Sequence, residues 1–245
     1  MAIVTLTIDG QQLTAHDDQS LLHVAREHGI DIPTLCHLDG LSDVGACRIC
    51  LVEIEGQSKL VPACIGRAAE GMVVRTDTER LQRYRRTIVE LLACEGNHHC
   101  AVCVSNNHCE LQDLATRVGL QFVRVPYLYP AREVDASHPR FVIDHNRCVL
   151  CTRCLRVCEE VEGAHTWDVA GRGIQCRMVA DLDVPWGQAE SCTSCGKCVA
   201  VCPTGALFEK GTTVSEMKKR KEHVRYIVNA RQRREWDSSL LEGDE

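Results

Sequence analysis

The side chains best suited to chemistry in this chain are its cysteines, seventeen in 245 residues. They fall into four quartets: Cys36, Cys47, Cys50 and Cys64; Cys94, Cys100, Cys103 and Cys109; Cys148, Cys151, Cys154 and Cys158; and Cys192, Cys195, Cys198 and Cys202. Cys176 stands alone between the last two. Thiols at such short spacings form disulfides in secreted domains and bind metal in reducing compartments. The N-terminal "MAIVTLTIDG" lacks the charged-then-apolar pattern of an export signal, so a row of metal sites is expected.

The runs "CVLCTRCLRVC" (148–158) and "CTSCGKCVAVC" (192–202) both read C-x2-C-x2-C-x3-C, and Pro203 follows the second, as in bacterial ferredoxins. In that arrangement three neighbouring thiolates hold one cubane and the fourth cysteine crosses to the other cluster. The expected 4Fe-4S ligand sets are therefore Cys148, Cys151, Cys154 and Cys202, and Cys192, Cys195, Cys198 and Cys158. Zinc does not account for two matching runs with crossover spacing. Cys176, in "GIQCRMV", has no partner at ligand spacing and is expected to be a buried structural thiol.

The first quartet, C-x10-C-x2-C-x13-C, has one close pair and two distant partners. Plant-type ferredoxins follow the same logic around a 2Fe-2S cluster with a shorter first gap. Four-cysteine zinc knuckles use two close pairs. A 2Fe-2S cluster on Cys36, Cys47, Cys50 and Cys64 is the expectation, with Gly40, Gly45 and Gly66 letting the backbone pass close to the sulfurs.

The stretch "GNHHCAVCVSNNHC" (96–109) leaves two choices for a fourth ligand beside Cys100, Cys103 and Cys109. Cys94 ends an apolar helical segment, where a small buried hydrophobe is expected. His98 lies in a Gly-Asn loop from which a ring can turn inward, whereas His99 and His108 adjoin ligand cysteines and are expected to point away. Spacing favours His98, with Cys94 as the alternative. With His98, fifteen cysteines and one histidine supply four ligands to each of four clusters, and Cys94 and Cys176 are left over.

Several elements must position these loops. "IVTLTI", Asp9-Gly10 and "QQLTA" read as a hairpin, and Ser20 caps a short helix bearing Leu21, Leu22, Val24 and Ala25 and stopped by Gly29. "CLVEIEG" and "GMVVRT" read as further strands, giving a small α+β sheet with a helix across it. Residues 79–93 read as a helix with Leu81, Tyr84, Ile88, Leu91 and Leu92 on its packed face and Arg80, Arg83, Arg85 and Arg86 mostly away from it. "SEMKKRKEHVRYIVNARQRREW" reads as a charged helix with Met217, Val224, Ile227 and Val228 on one face, packed on its own domain or clamping a partner, and the "GDE" end is expected to fray.

Composition sets the outer bounds. Aromatic residues make up only 4%, so the core is thin and metal sites are expected to brace the loops. A net charge of −6 argues against nucleic acid. No apolar run is long enough for a transmembrane segment, and a cytoplasmic location is expected. No G-x-G-x-x-G follows a strand, so neither nucleotide nor flavin is expected to bind this chain.

"IPTLCHLDG", "GACRICLVEIEG", "EGNHHCAVCVSNNHCELQDLA", "CVLCTRCLRVCEEVEGAHTWDVAGRG" and "CTSCGKCVAVCPTGALFEKG" resemble the small diaphorase subunit (HoxU) of bidirectional NAD(P)-reducing nickel–iron hydrogenases. The likeness runs from the first strand to about residue 235. The same module is similar to the N-terminal part of the large iron–sulfur subunit of respiratory complex I and to the accessory domain of iron-only hydrogenases. Those two relatives place the cluster histidine as H-x3-C, where this chain has Gly96, and His98 gives H-x-C instead.

The resemblance implies a relay of single electrons between a flavoprotein subunit that oxidises NAD(P)H and the small and large subunits of a nickel–iron hydrogenase, with a further 2Fe-2S subunit as an optional member. The chain would have no substrate site of its own. The equivalent subunit of an NAD-dependent formate dehydrogenase, or a free polyferredoxin carrier, is the alternative. The expected fold is α+β: a β-grasp 2Fe-2S ferredoxin-like domain (1–78), a small helical histidine/cysteine 4Fe-4S domain (79–118), a linker (119–139), a two-cluster bacterial-ferredoxin-like domain (140–211) and a charged helix and tail (212–245). The cofactors expected are one 2Fe-2S and three 4Fe-4S clusters.

Overall fold

The computed structural model describes residues 2–236, and the "GDE" end lies outside them. The chain forms two compact units, one of residues 1–37, 43–93 and 113–126, the other of residues 38–42, 94–112 and 127–245.

The first unit opens with β1 (Ile3–Ile8) and β2 (Gln11–His16), paired from Ile3–His16 to Ile8–Gln11. Asp9 and Gly10 close the hairpin at φ 49° and 82°, the backbone a tight two-residue turn demands. In α1 (Leu21–Glu27) the Ser20 hydroxyl accepts the His23 N–H at 3.2 Å. Leu21, Leu22, Val24 and Ala25 are buried on one stripe, each worth roughly 1.5–3 kcal/mol for the larger side chains. Next come β3 (Leu51–Ile54), β4 (Val61–Pro62) and β5 (Val73–Arg75). The five-stranded sheet runs β2-β1-β5-β3-β4, with β5 parallel to β1 and antiparallel to β3.

α2 (Glu79–Glu95) corrects the expected face. Leu81, Arg85 and Val89 are buried, whereas Tyr84 and Leu91 are 46% and 44% exposed. Spacing of apolar letters alone selects 81, 84, 88 and 91. The helix instead turns residues four apart inward, because the Arg85 fork finds backbone carbonyls to bind. α3 (Glu110–Arg117) follows the middle cysteines.

In the second unit β6 (Val134–Asp135) and β7 (Phe141–Asp144) join β10 (Leu207–Glu209) in an antiparallel sheet of order β10-β7-β6. Between them lie α4 (Arg153–Arg156), continued by a π-helical turn, the hairpin of β8 (Trp167–Ala170) and β9 (Arg177–Ala180), and α5 (Lys197–Val201). Phe141, Ile143, Val157, Trp186, Val201 and Leu207 form its core, with Cys154, Cys158, Cys198 and Cys202 among them.

Two more expectations are corrected here. α6 (Glu222–Arg233) starts well after residue 212, and Met217 lies outside it in an extended strap. From Met217 to Lys221 the strap alternates half-buried and exposed residues, the period of extended backbone. Four consecutive cations cannot all face water on one helical side as comfortably as they split between two faces. Val224, Ile227 and Val228 do pack on the unit's own core. Cys176 is half-buried, not buried, because it closes the short turn between β8 and β9 at the surface of the hairpin.

Candidate metal centres

None of the seventeen cysteines is paired in a disulfide. In the first unit Cys36, Cys50 and Cys64 are at most 2% exposed and Cys47 is half-buried. They interact in pairs. A hydrogen bond with Cys36, together with burial, pushes Cys47 far up. Cys64 donates to the Cys50 sulfur, which brings Cys50 down to about 7 and pushes Cys64 up. Arg48, between the close pair, has φ 59°, and Gly45 has φ 61° with a Cβ there only 3.0 Å from Ile65. The loop is braced from behind by Arg85: Nε donates to Ile49 O at 3.1 Å, and Nη2 donates to Leu51 O and Thr76 O, both at 2.8 Å. The two carbonyls on either side of Cys50 are thus fixed by one guanidinium. Apolar spacing places Arg85 on a solvated face, and its local composition gives no hint of the carbonyls waiting for it.

In the middle stretch, burial pushes Cys109 up to about 11, and the charges of Cys103 and Cys100 push it the same way. Cys103 and Cys109 are buried and Cys100 is exposed. Cys94 is buried in the last turn of α2, and its carbonyl accepts Leu128 N–H at 3.4 Å. His98 is half-buried with Nε2 turned inward. A Cβ on Gly96 would stand 2.8 Å from His98 Nε2 and 2.6 Å from Asn146 O. The space a residue-96 side chain would need is therefore held by the His98 ring, which accounts physically for the departure from the H-x3-C spacing. His99 and His108 are exposed.

The last two runs repeat one backbone form. Leu150 and Thr152, flanking Cys151, have φ 50° and 60°. Ser194 and Gly196, flanking Cys195, have φ 57° and 75°. Left-handed residues alternating with ordinary ones turn successive N–H groups into one concavity, a recurring way to cradle anions and iron–sulfur groups. Among the hydrogen bonds these sulfurs accept are those of Cys148 from Leu150 N at 3.5 Å, Cys158 from Thr166 N at 3.4 Å, and Cys192 from Trp186 Nε1 at 3.3 Å.

Cys148, Cys151, Cys154 and Cys202 line one cavity of about 350 Å³ including its open mouth, together with Pro203 and Thr204. Cys158, Cys192, Cys195 and Cys198 line a second of about 310 Å³, likewise including its mouth, walled by Trp167 and Trp186. Burial pushes Cys148 up to about 11, Cys151 to about 12, and Cys154 and Cys198 further. A bare thiolate is thus disfavoured in both cavities, and a polynuclear iron centre would supply the positive charge that four sulfurs lining one cavity need. Among the described residues no three His, Cys, Asp or Glu side chains converge on one point as ligands of a single ion do. A larger cavity, about 1740 Å³ including its open mouth, lies between residues 130–135 and the β8–β9 hairpin and is lined by no cysteine.

The loops of the second unit are tied together by groups the sequence does not single out. Cys103 Sγ sits against Gly205, where an added Cβ would be only 2.5 Å away. Glu110, next to Cys109, receives Nη1 and Nη2 of Arg153 at 2.8 Å each and Lys221 Nζ at 2.8 Å. Arg153 precedes Cys154 and is 2% exposed. Glu110 N also donates to Pro203 O at 2.9 Å, beside Cys202.

This fold and these cysteine-lined cavities define an iron–sulfur protein of mixed α/β architecture. Three family models match: a 2Fe-2S iron–sulfur cluster binding domain over residues 2–79, the NADH-ubiquinone oxidoreductase-G iron–sulfur binding region over 85–124, and the ferredoxin-like domain of NADH-quinone oxidoreductase subunit 3 over 139–208. The chain is 31% identical to the gamma subunit of the NAD-reducing hydrogenase HoxS of Cupriavidus necator, over 93% of this chain and 96% of that protein. Its fold matches a chain in the crystal structure of an NAD+-reducing [NiFe]-hydrogenase in the H2-reduced state, with TM-score 0.82, 33% identity, and coverage of 95% and 99%. It is also 36% identical to the NADP-reducing hydrogenase subunit HndD of Solidesulfovibrio fructosivorans, over 85% of this chain, but spans only 36% of that protein's length. The chain belongs to the family of the NAD-reducing hydrogenase gamma subunit. Among the described residues no helix is long and apolar enough to cross a membrane.

Proposed function

We propose that this chain is the electron-relay subunit of a bidirectional NAD(P)-linked hydrogenase, standing between a flavoprotein subunit that exchanges hydride with NAD(P)H and the nickel–iron hydrogenase module, in the cytoplasm. The observation that supports it best is the lining of two cavities by four thiols each, in a chain that matches a hydrogenase gamma subunit nearly end to end. Four iron–sulfur clusters would supply the one-electron chemistry, at potentials set by cluster type, hydrogen bonds to sulfur and exposure.

The ligand sets in this reading are Cys36, Cys47, Cys50 and Cys64 for the 2Fe-2S cluster and His98, Cys100, Cys103 and Cys109 for the middle 4Fe-4S cluster. Cys148, Cys151, Cys154 and Cys202, and Cys192, Cys195, Cys198 and Cys158, hold the other two. The remaining groups position these loops: Arg85 holds the carbonyls around Cys50, and the Glu110–Arg153 pair joins the middle loop to the run at 148–154. Trp186 Nε1 and the N–H groups of Leu150 and Thr166 donate to the sulfurs of Cys192, Cys148 and Cys158. Substrates are bound by the partner subunits.

An anaerobic pull-down of the tagged chain from its native host, assayed for NAD(P) reduction by hydrogen, tests the reading. Hydrogen-driven reduction with a flavoprotein and a nickel protein in the eluate is the expected outcome. Formate-driven reduction would move the relay to a different enzyme, and a coloured chain eluting alone would make it a carrier.

A further inference from the structure

Lys219 is the one member of the Lys218–Lys221 run whose ammonium is taken into the body of the second unit and meets backbone oxygens. Its Nζ donates to Leu207 O at 2.7 Å and to Val199 O at 3.2 Å and lies 3.7 Å from Met217 Sδ. Val199 is the residue after Cys198. Among the described residues Lys219 forms no ion pair, so its charge is not cancelled locally as that of Arg153 is by Glu110. The strap that carries it is pinned across the middle loop: Ser215 N donates to Cys103 O at 3.1 Å and Met217 N to Val104 O at 3.0 Å. The Val199 carbonyl also accepts Cys202 N–H at 3.4 Å, so the ammonium and its strap touch segments of all three cysteine sets of the unit. Burial lowers the pKa of this ammonium, and the sulfurs of Cys202, Cys109, Cys103 and Cys198 act in the opposite direction.

We infer that Lys219 is a positioning residue whose uncompensated charge raises the reduction potentials of all three centres of the second unit together. The inference rests on the reading that these cysteine sets hold clusters. A reduced cluster carries one more negative charge than an oxidised one, so a fixed cation nearby favours reduction. In a buried setting that attraction is weakly screened. One side chain then keeps three steps of the relay in register, because moving it shifts them in the same direction.

The test is a reductive titration of the intact complex, followed by electron paramagnetic resonance with iron content measured alongside, for the parent, Lys219→Gln and Lys219→Arg. Glutamine can still donate to the two carbonyls but carries no charge, and arginine keeps the charge. The expected result is parent-like iron content, with the signals of the second unit's clusters shifted to more negative potential in Lys219→Gln and returned toward the parent in Lys219→Arg. The 2Fe-2S signal should stay in place. Loss of iron in Lys219→Gln that Lys219→Arg restores would also support the charge, since both variants keep a donor. Unshifted potentials in Lys219→Gln would overturn the inference, as would equal loss of iron in both variants, which makes Lys219 a packing residue. Failure of the cluster reading looks different: the parent itself would then show no such signals.

Discussion

Arg153 and Glu110 form a two-pronged ion pair, 2.8 Å on each prong, with the guanidinium 2% exposed. Each stands beside a cysteine of a different set, Cys154 and Cys109. Burial works to raise the Glu110 carboxyl, yet Arg153 and Lys221 hold it below its ordinary value of 4.5.

Glu110→Gln would strand the Arg153 charge in the interior, at a cost of about 3–5 kcal/mol. Because the folded-state pKa is depressed, this stabilisation is present in full above the unfolded value near 4.5 and fades as pH falls through the lower folded value. The gap in anaerobic urea midpoint between parent and variant should be constant from neutral pH down to the carboxylate range and narrow below it. A gap that ignores pH would separate the pair from stability.

Arg85→Met would leave the carbonyls of Ile49, Leu51 and Thr76 without their donor, at about 1–3 kcal/mol for each that stays buried and unmet. Arg85→Lys would not repair this, since a single ammonium lacks the planar fork that reaches three oxygens. The visible and paramagnetic signature of the 2Fe-2S cluster should weaken first in both Arg85→Met and Arg85→Lys, with the 4Fe-4S signals kept.

His98→Ala should reduce or alter the signal of the middle 4Fe-4S cluster, while Cys94→Ala should leave that signal in place. Cys94 is buried at 2% exposure in the last turn of a helix, so its loss should register as a modest drop in thermal midpoint. The reverse pattern of spectra would transfer the fourth ligand to Cys94.

Trp186→Phe removes the N–H that Cys192 Sγ accepts at 3.3 Å and keeps most of the ring stacked on Phe141 and edge-on to Trp167. A hydrogen bond to a ligand sulfur favours the reduced cluster, so the potential of the cluster held by Cys192 should fall and the others stay. A uniform shift of all clusters would mean that the ring acts through packing. This single-cluster pattern is the counterpart of the joint shift expected for Lys219.

Legibility differs from element to element. Asp9-Gly10, the Ser20 cap and the strands at 51–54 and 73–75 are visible in the sequence, because turn chemistry, capping and alternation act within a few residues. The packed face of α2 is misjudged at Tyr84 and Leu91, because apolar spacing cannot register that an arginine has three carbonyls to bind. The letters of the strap at 215–221 favour helix. Its backbone is instead committed to Cys103 and Val104.

The sequence by itself determined which cysteines belong to which run, since the spacing within a run is written along one short loop. It also carried the family, through motifs spread over nearly the whole chain. Only the tertiary structure decided which charges go inward. Arg85, Arg153 and Lys219 have sequence neighbours no different from those of solvated arginines and lysines. Their charged ends turn inward because carbonyls and a carboxylate from distant segments converge on them, and a cation enters a protein interior only where such partners already stand. Gly96 is decided in the same way. Nothing in "EGNHHC" says that a side chain is forbidden there, but the His98 ring and Asn146 O already fill the space.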